Sequence, residues 1–156
     1  MMLTYILEGA GWAKAVIEHD GQRREMRFSW MSDALSRMID AASQIAQGAQ
    51  EARFGLTDEP GEHECVVCRT GVDQLLIRVF WYKEWTPPGP DTGEQVFACT
   101  CPAAQFSAEV LRCGKQLLDE HGTEGYKELW CEHEFPDEKF ENLSKILYPP
   151  RRPAPR

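Results

Sequence analysis

The run Leu75–Tyr82 is apolar on both faces of an extended chain. Leu75, Ile77, Val79 and Trp81 alternate with Leu76, Phe80 and Tyr82, and only Arg78 interrupts. A strand of this kind belongs in the middle of a sheet, covered on both sides or used as an interface. Other strand-length runs surround it. Ala52, Phe54 and Leu56 alternate with polar or small neighbours, and Glu59-Pro60-Gly61 turns into His63–Arg69. Thr70-Gly71 leads to the central run. Val96–Cys101 follows a loop, 83–93, whose three prolines forbid regular structure. Short turns between consecutive runs make neighbours antiparallel.

Upstream, Trp12–Trp30 has a period of two. Asp20-Gly21 supplies the tight hairpin turn, and Leu3–Leu7 extends the first strand with Gly9-Ala10-Gly11 as a bulge. Ser32 then reads as a helix N-cap. Leu35, Met38, Ile39, Ala42 and Ile45 form one helical stripe, which stops at Gly48. Pro102 opens a second long helix with a stripe of Phe106, Val110, Cys113 and Leu117, ended by Gly122. A short helical turn carries Tyr126, Leu129 and Trp130, and Pro136 opens a last helix. The expected class is α+β: a single antiparallel sheet of about six strands, order β-β-α-β-β-β-β-α-α. Two long helices and a C-terminal helix pack mainly on one face. Residues 1–147 make one globular domain, and 148–156 a disordered tail rich in Pro and Arg.

The chain has 156 residues and a formal net charge of −8, which argues against nucleic acid as a ligand. Acid is concentrated between Gln116 and Glu141, where nine carboxylates face Lys127 and Lys139. No run approaches the ~18 apolar residues of a membrane span. The N-terminus lacks a basic, then apolar, leader pattern, so the expected compartment is the cytoplasm and the six cysteines are expected as free thiols.

Two chemistries compete for the polar residues. Cys65-Val66-Val67-Cys68 is a C-x-x-C, but on a strand its two thiols point to opposite faces. His63 with Cys65, and Cys99 with Cys101, are better placed, each pair lying on one strand face. In a meander the 75–82 strand separates the two pairs by about 9.6 Å, two strand spacings. No nucleophile elbow, phosphate loop, dinucleotide fingerprint or H-E-x-x-H motif is present. Phe80-Trp81-Tyr82 with Trp85 is aromatic in the way binding hot spots are.

Four segments, Ser32-Asp33-Ala34-Leu35, Glu59-Pro60-Gly61-Glu62, Gly122-Thr123-Glu124-Gly125-Tyr126 with Trp130, and Phe135-Pro136, together resemble a group of short uncharacterised bacterial proteins. The resemblance covers most of residues 4–147 and implies a fold without an assigned chemistry. Where that group has an aromatic residue this chain has Cys65. Size, acidity and α+β build also resemble immunity or antitoxin proteins.

The leading expectation is therefore a non-enzymatic interaction domain, immunity-like, that binds a basic protein partner. It would use Trp81, Tyr82 and Trp85, or Asp119, Glu120, Glu124, Glu128 and Glu132, with no cofactor. The alternative is a zinc- or thiol-dependent protein using His63, Cys65, Cys99 and Cys101. Deleting 149–156 is expected to leave the melting temperature within a few degrees in a thermal scan, because ~1 kcal/mol corresponds to roughly 2–8 °C at this size.

Overall fold

The computed structural model describes residues 1–85 and 92–151. The middle of the Pro-rich loop and the end of the tail, residues 152–156, lie outside the described residues. Seven strands and three helices follow one another as β1 (Met2–Gly9), β2 (Trp12–His19), β3 (Gln22–Ser29), α1 (Ala34–Ala46), β4 (Glu51–Thr57), β5 (Glu62–Gly71), β6 (Gln74–Tyr82), β7 (Glu94–Cys101), α2 (Ala103–Trp130) and α3 (Asp137–Leu147). The class is α+β with antiparallel pairing throughout.

The strands form two sheets, ordered β1-β2-β3 and β4-β5-β6-β7, where the sequence suggested one sheet of six. Two local features account for the difference. Gly9-Ala10-Gly11 is a full reversal and not a bulge: Ala10 and Gly11 take φ of 52° and 77°, which splits the first expected strand in two. Between β3 and β4 the chain leaves the sheet to build α1, and the two strands then lie close without forming a ladder.

The two sheets turn their inner faces onto one core. Leu3, Tyr5, Ala13, Ile17, Met26 and Phe28 come from the first sheet. Phe54, Leu56, Cys65, Val67, Ile77 and Val79 come from the second. Leu35, Met38, Ile39, Ala42 and Ile45 of α1, and Phe106, Val110, Cys113 and Leu117 of α2, which packs beside it, complete the core. The helices are tied inside the core by Ser107, whose hydroxyl donates to the Ala42 carbonyl at 2.7 Å. The double-sided pattern of β6 is used as its sequence implied. Its second face gives Phe80 and Tyr82 to a small outer cluster with Val66.

Local rules set the helix ends. Asp33, not Ser32, caps α1: its carboxylate accepts from the Ser36 N–H at 3.4 Å, while Ser32 is buried. Pro102 and Pro136 stand one residue before their helices as the capping position. Gly122 sits inside α2 at φ 66°, ψ 178°, a conformation that is essentially glycine-only. It breaks the helix into two directions at the position the sequence marked as a stop.

The free edge of β1 is closed by α2. The Leu3 N–H donates to Glu109 Oε2 at 2.9 Å, and Arg112 Nη2 and the Cys113 thiol both donate to the Leu3 carbonyl. A strand edge covered this way cannot recruit another strand.

Leu35 and Ile39 are fully buried. Leu35→Ala or Ile39→Ala is expected to lower the urea unfolding free energy by about 2–5 kcal/mol, the usual cost of an emptied core site. Near-zero cost at both positions would contradict the packing of α1 into the core.

Candidate functional site

The acidic C-terminal surface divides at Gly122. On its N-terminal side Asp119 is taken by Lys115 at 2.7 Å, and Glu120 accepts from Gln116 at 2.7 Å. Beyond it Glu124 and Glu128 line a cleft of about 470 Å³ together with Glu134 and Asp137, closed by Thr123, Lys127 and Phe135. Lys127 reaches the Glu132 carbonyl at 3.2 Å. Glu132 is exposed and lies outside the cleft lining. Among the described residues the carboxylates of Glu124, Glu128, Glu134 and Asp137 make no ion pair or hydrogen bond. The connection below the cleft is pinned by His133, whose Nε2 lies 2.9 Å from the Trp30 carbonyl and Nδ1 4.0 Å from Asp33 Oδ2. Sequence reading placed Glu124 and Glu128 here but missed Glu134 and Asp137, which only the chain reversal at 131–136 brings alongside them.

The aromatic segment disperses. Trp81 packs against the His63 ring with centroids 4.6 Å apart. Tyr82 is buried on the outer sheet face and its hydroxyl donates to Glu64 Oε2 at 3.2 Å. Trp85 is 49% exposed and donates its indole N–H to the Asp58 carbonyl at 2.7 Å. It borders a shallow depression of about 230 Å³ with Pro60, Gly61, Lys83 and Glu84. These three aromatics therefore do not form one patch.

The His/Cys set occupies the inner face of the four-stranded sheet. Cys65 lies opposite Val79 and Cys99 opposite Ile77, with β6 between them. Among the described residues no three His, Cys, Asp or Glu side chains are close enough to hold a metal ion. The Cys65 thiol lies 3.9 Å from Met26 Sδ. Burial pushes the Cys65 thiol well up, Cys99 to about 11 and Cys101 up as well, so all three stay protonated near neutral pH. His63 is buried, with Nε2 3.3 Å from Arg24 Nη2. Because the guanidinium only donates, Nε2 accepts and the imidazole is neutral. Burial first, and the Arg24 charge second, hold its pKa down at about 4.

A fourth region escaped the sequence reading. Between α1 and β4 runs a groove of about 400 Å³, with Arg37, Asp40, Ala41 and Gln44 on the helix side and Phe54, Gly55, Glu62 and Glu64 on the sheet side. Most of its charges are spent. Lys139 reaches Asp40 at 2.6 Å, and Arg53 bridges Glu51 at 2.6 Å and Glu64 at 3.2 Å. Glu62 makes no ion pair among the described residues, and burial raises its carboxyl above the usual range although the nearby Arg37 charge pulls the other way. An isolated glycine within a strand pattern was the available signal, because it marks a close approach.

No family model matches the chain, and no curated protein matches it. Among solved structures it is similar to the CdiA-CT/CdiI toxin and immunity complex from Enterobacter cloacae, with a TM-score of 0.45 and 6% sequence identity. That match covers 73% of this chain and 99% of the other. A likeness of this strength leaves function to be argued from the chain's own geometry. Among the described residues no helix is long and apolar enough to cross a membrane.

The neutral His63 makes stability depend on pH. Its folded pKa of about 4 lies below the usual value near 6.5, so its contribution is complete above pH ~6.5 and is lost as pH falls through about 4. The loss is at most about 3 kcal/mol. Urea unfolding at neutral pH and at pH ~4.5 checks this: His63→Phe is expected to show a smaller acid loss than the native chain.

Proposed function

We propose that this chain is a non-enzymatic protein-interaction domain, of the kind immunity proteins represent, that binds a basic protein partner through the cleft below Gly122. What carries the reading is the set of four carboxylates, Glu124, Glu128, Glu134 and Asp137, gathered around one cleft and without ion pairs among the described residues. A folded chain gains nothing by massing like charge without compensation. A partner's Lys and Arg side chains supply that compensation and are drawn in by the field of the face. The overall charge of −8 acts in the same direction over longer range. The reading rests on the cleft and not on the distant likeness to a toxin–immunity complex. Its cytoplasmic setting and lack of cofactor are parts of the proposal.

The test is association kinetics with a partner captured from lysate on the immobilised chain. The on-rate is expected to fall by about tenfold or more between 0.01 M and 0.15 M salt, as the Debye length shrinks from ~30 Å to ~8 Å. Replacing Glu124→Gln and Glu128→Gln together is expected to slow association and leave the melting temperature unchanged. An on-rate indifferent to both salt and these substitutions would remove the cleft from the interface and direct attention to exposed Trp85.

A further inference from the structure

β4 is an outer strand, and β5 is its one ladder partner among the described residues. Just outside the two ends of this pairing, the Arg69 N–H donates to the Gln50 carbonyl at 2.8 Å and the Asp58 N–H to the Gly61 carbonyl at 2.9 Å. The register between those points is constant. Bonded and non-bonded pairs alternate in an antiparallel ladder, so the even-numbered residues of β4 bond to β5. Gly55 and Thr57 therefore turn their N–H and C=O outward. Among the described residues no backbone bond satisfies these outward groups. The contrast with β1 is direct, since side chains of α2 hold the Leu3 peptide there.

This edge, half-buried at Gly55 and Thr57, is also the sheet-side wall of the groove beside α1, which packs along β4. Glu62 leans over Gly55: a Cβ built on Gly55 would stand 2.0 Å from Glu62 Oε1 and 3.8 Å from Arg37 Nη1. Only the absence of a side chain at 55 lets that carboxylate reach the groove. A strand laid along β4 would place the residue opposite Gly55 on the same face, with its Cβ about 4.5–5.5 Å across. Its side chain would then meet the Glu62 carboxylate.

We propose that the β4 edge takes an extended segment of a protein partner as a fifth strand, with a Lys or Arg of that segment opposite Gly55 and paired with Glu62. Main-chain bonds to Gly55 and Thr57 provide the attachment, and Glu62 selects the basic residue. The surface is separate from the acidic cleft and stands or falls independently of it.

Amide exchange and a peptide titration followed by NMR test this. In the free protein the Gly55 and Thr57 amides are expected to exchange at least about 100-fold faster than those of Phe54 and Leu56. A blocked Thr-Val-Lys-Val-Thr peptide is expected to slow both amides and move their signals. N-methylation of its central amides should weaken binding at least about tenfold, because it removes the donors that pair with β4. Glu62→Gln should weaken binding about fivefold, and Glu124→Gln with Glu128→Gln should leave it unchanged. Slow exchange of Gly55 and Thr57 in the free chain overturns the proposal. So do signals unmoved at about 5 mM peptide, or binding indifferent to N-methylation.

Discussion

The molecule depends on one shared apolar seam, where the inner faces of two separate sheets close on the same two helices. Each sheet carries one apolar face that must be buried against another element. Met26 against Cys65 joins the sheets directly, Phe28 meets Trp130 at 5.9 Å between centroids, and Phe54 stacks over Phe106 at 6.3 Å. Each contact spans elements far apart in the chain, so the fold forms as a unit rather than sheet by sheet. Burial in the same seam explains the protonated thiols and, together with the Arg24 charge, the neutral His63.

Polar groups are handled differently at the rim. Some are tightly engaged: Glu109 and Arg112 on the Leu3 peptide, Arg53 between two glutamates, Lys139 on Asp40. Others make no ion pair or side-chain hydrogen bond among the described residues, namely Glu62 in the groove, with Arg37 nearby, and four carboxylates in the C-terminal cleft. Where most charge is compensated, the uncompensated residue carries the functional argument.

Much of the fold was legible in the sequence because its signals are local. The Asp20-Gly21 hairpin, the α1 stripe and the double-faced β6 each declare themselves within ten or so residues, and the meander order of the second sheet followed from short turns. The extra strand was not legible, since it depends on the dihedral angles at Ala10 and Gly11, and the split into two sheets was not, since it depends on where β3 lands relative to β4 after folding. The site was legible only in part. Glu124 and Glu128 share a helix face, so spacing found them. Glu134 and Asp137 reach the cleft through a reversal at Cys131, with φ 76°, that no periodicity encodes. The Glu62 groove was hidden because its main element is a missing side chain.

The break at Gly122 has a consequence for how such a chain can change over time. Net charge and solubility depend on how many carboxylates the sequence holds, whereas the cleft depends on the angle between the two halves of α2. An L-residue at 122 would be strained at φ 66° and would favour a straighter helix. All nine carboxylates from Asp119 to Glu141 would survive such a change, and so would the isoelectric point. The converging arrangement would not. Composition is therefore a poor guide to which descendants of this chain keep the cleft, and the residue at 122, which bears no charge, is the better one.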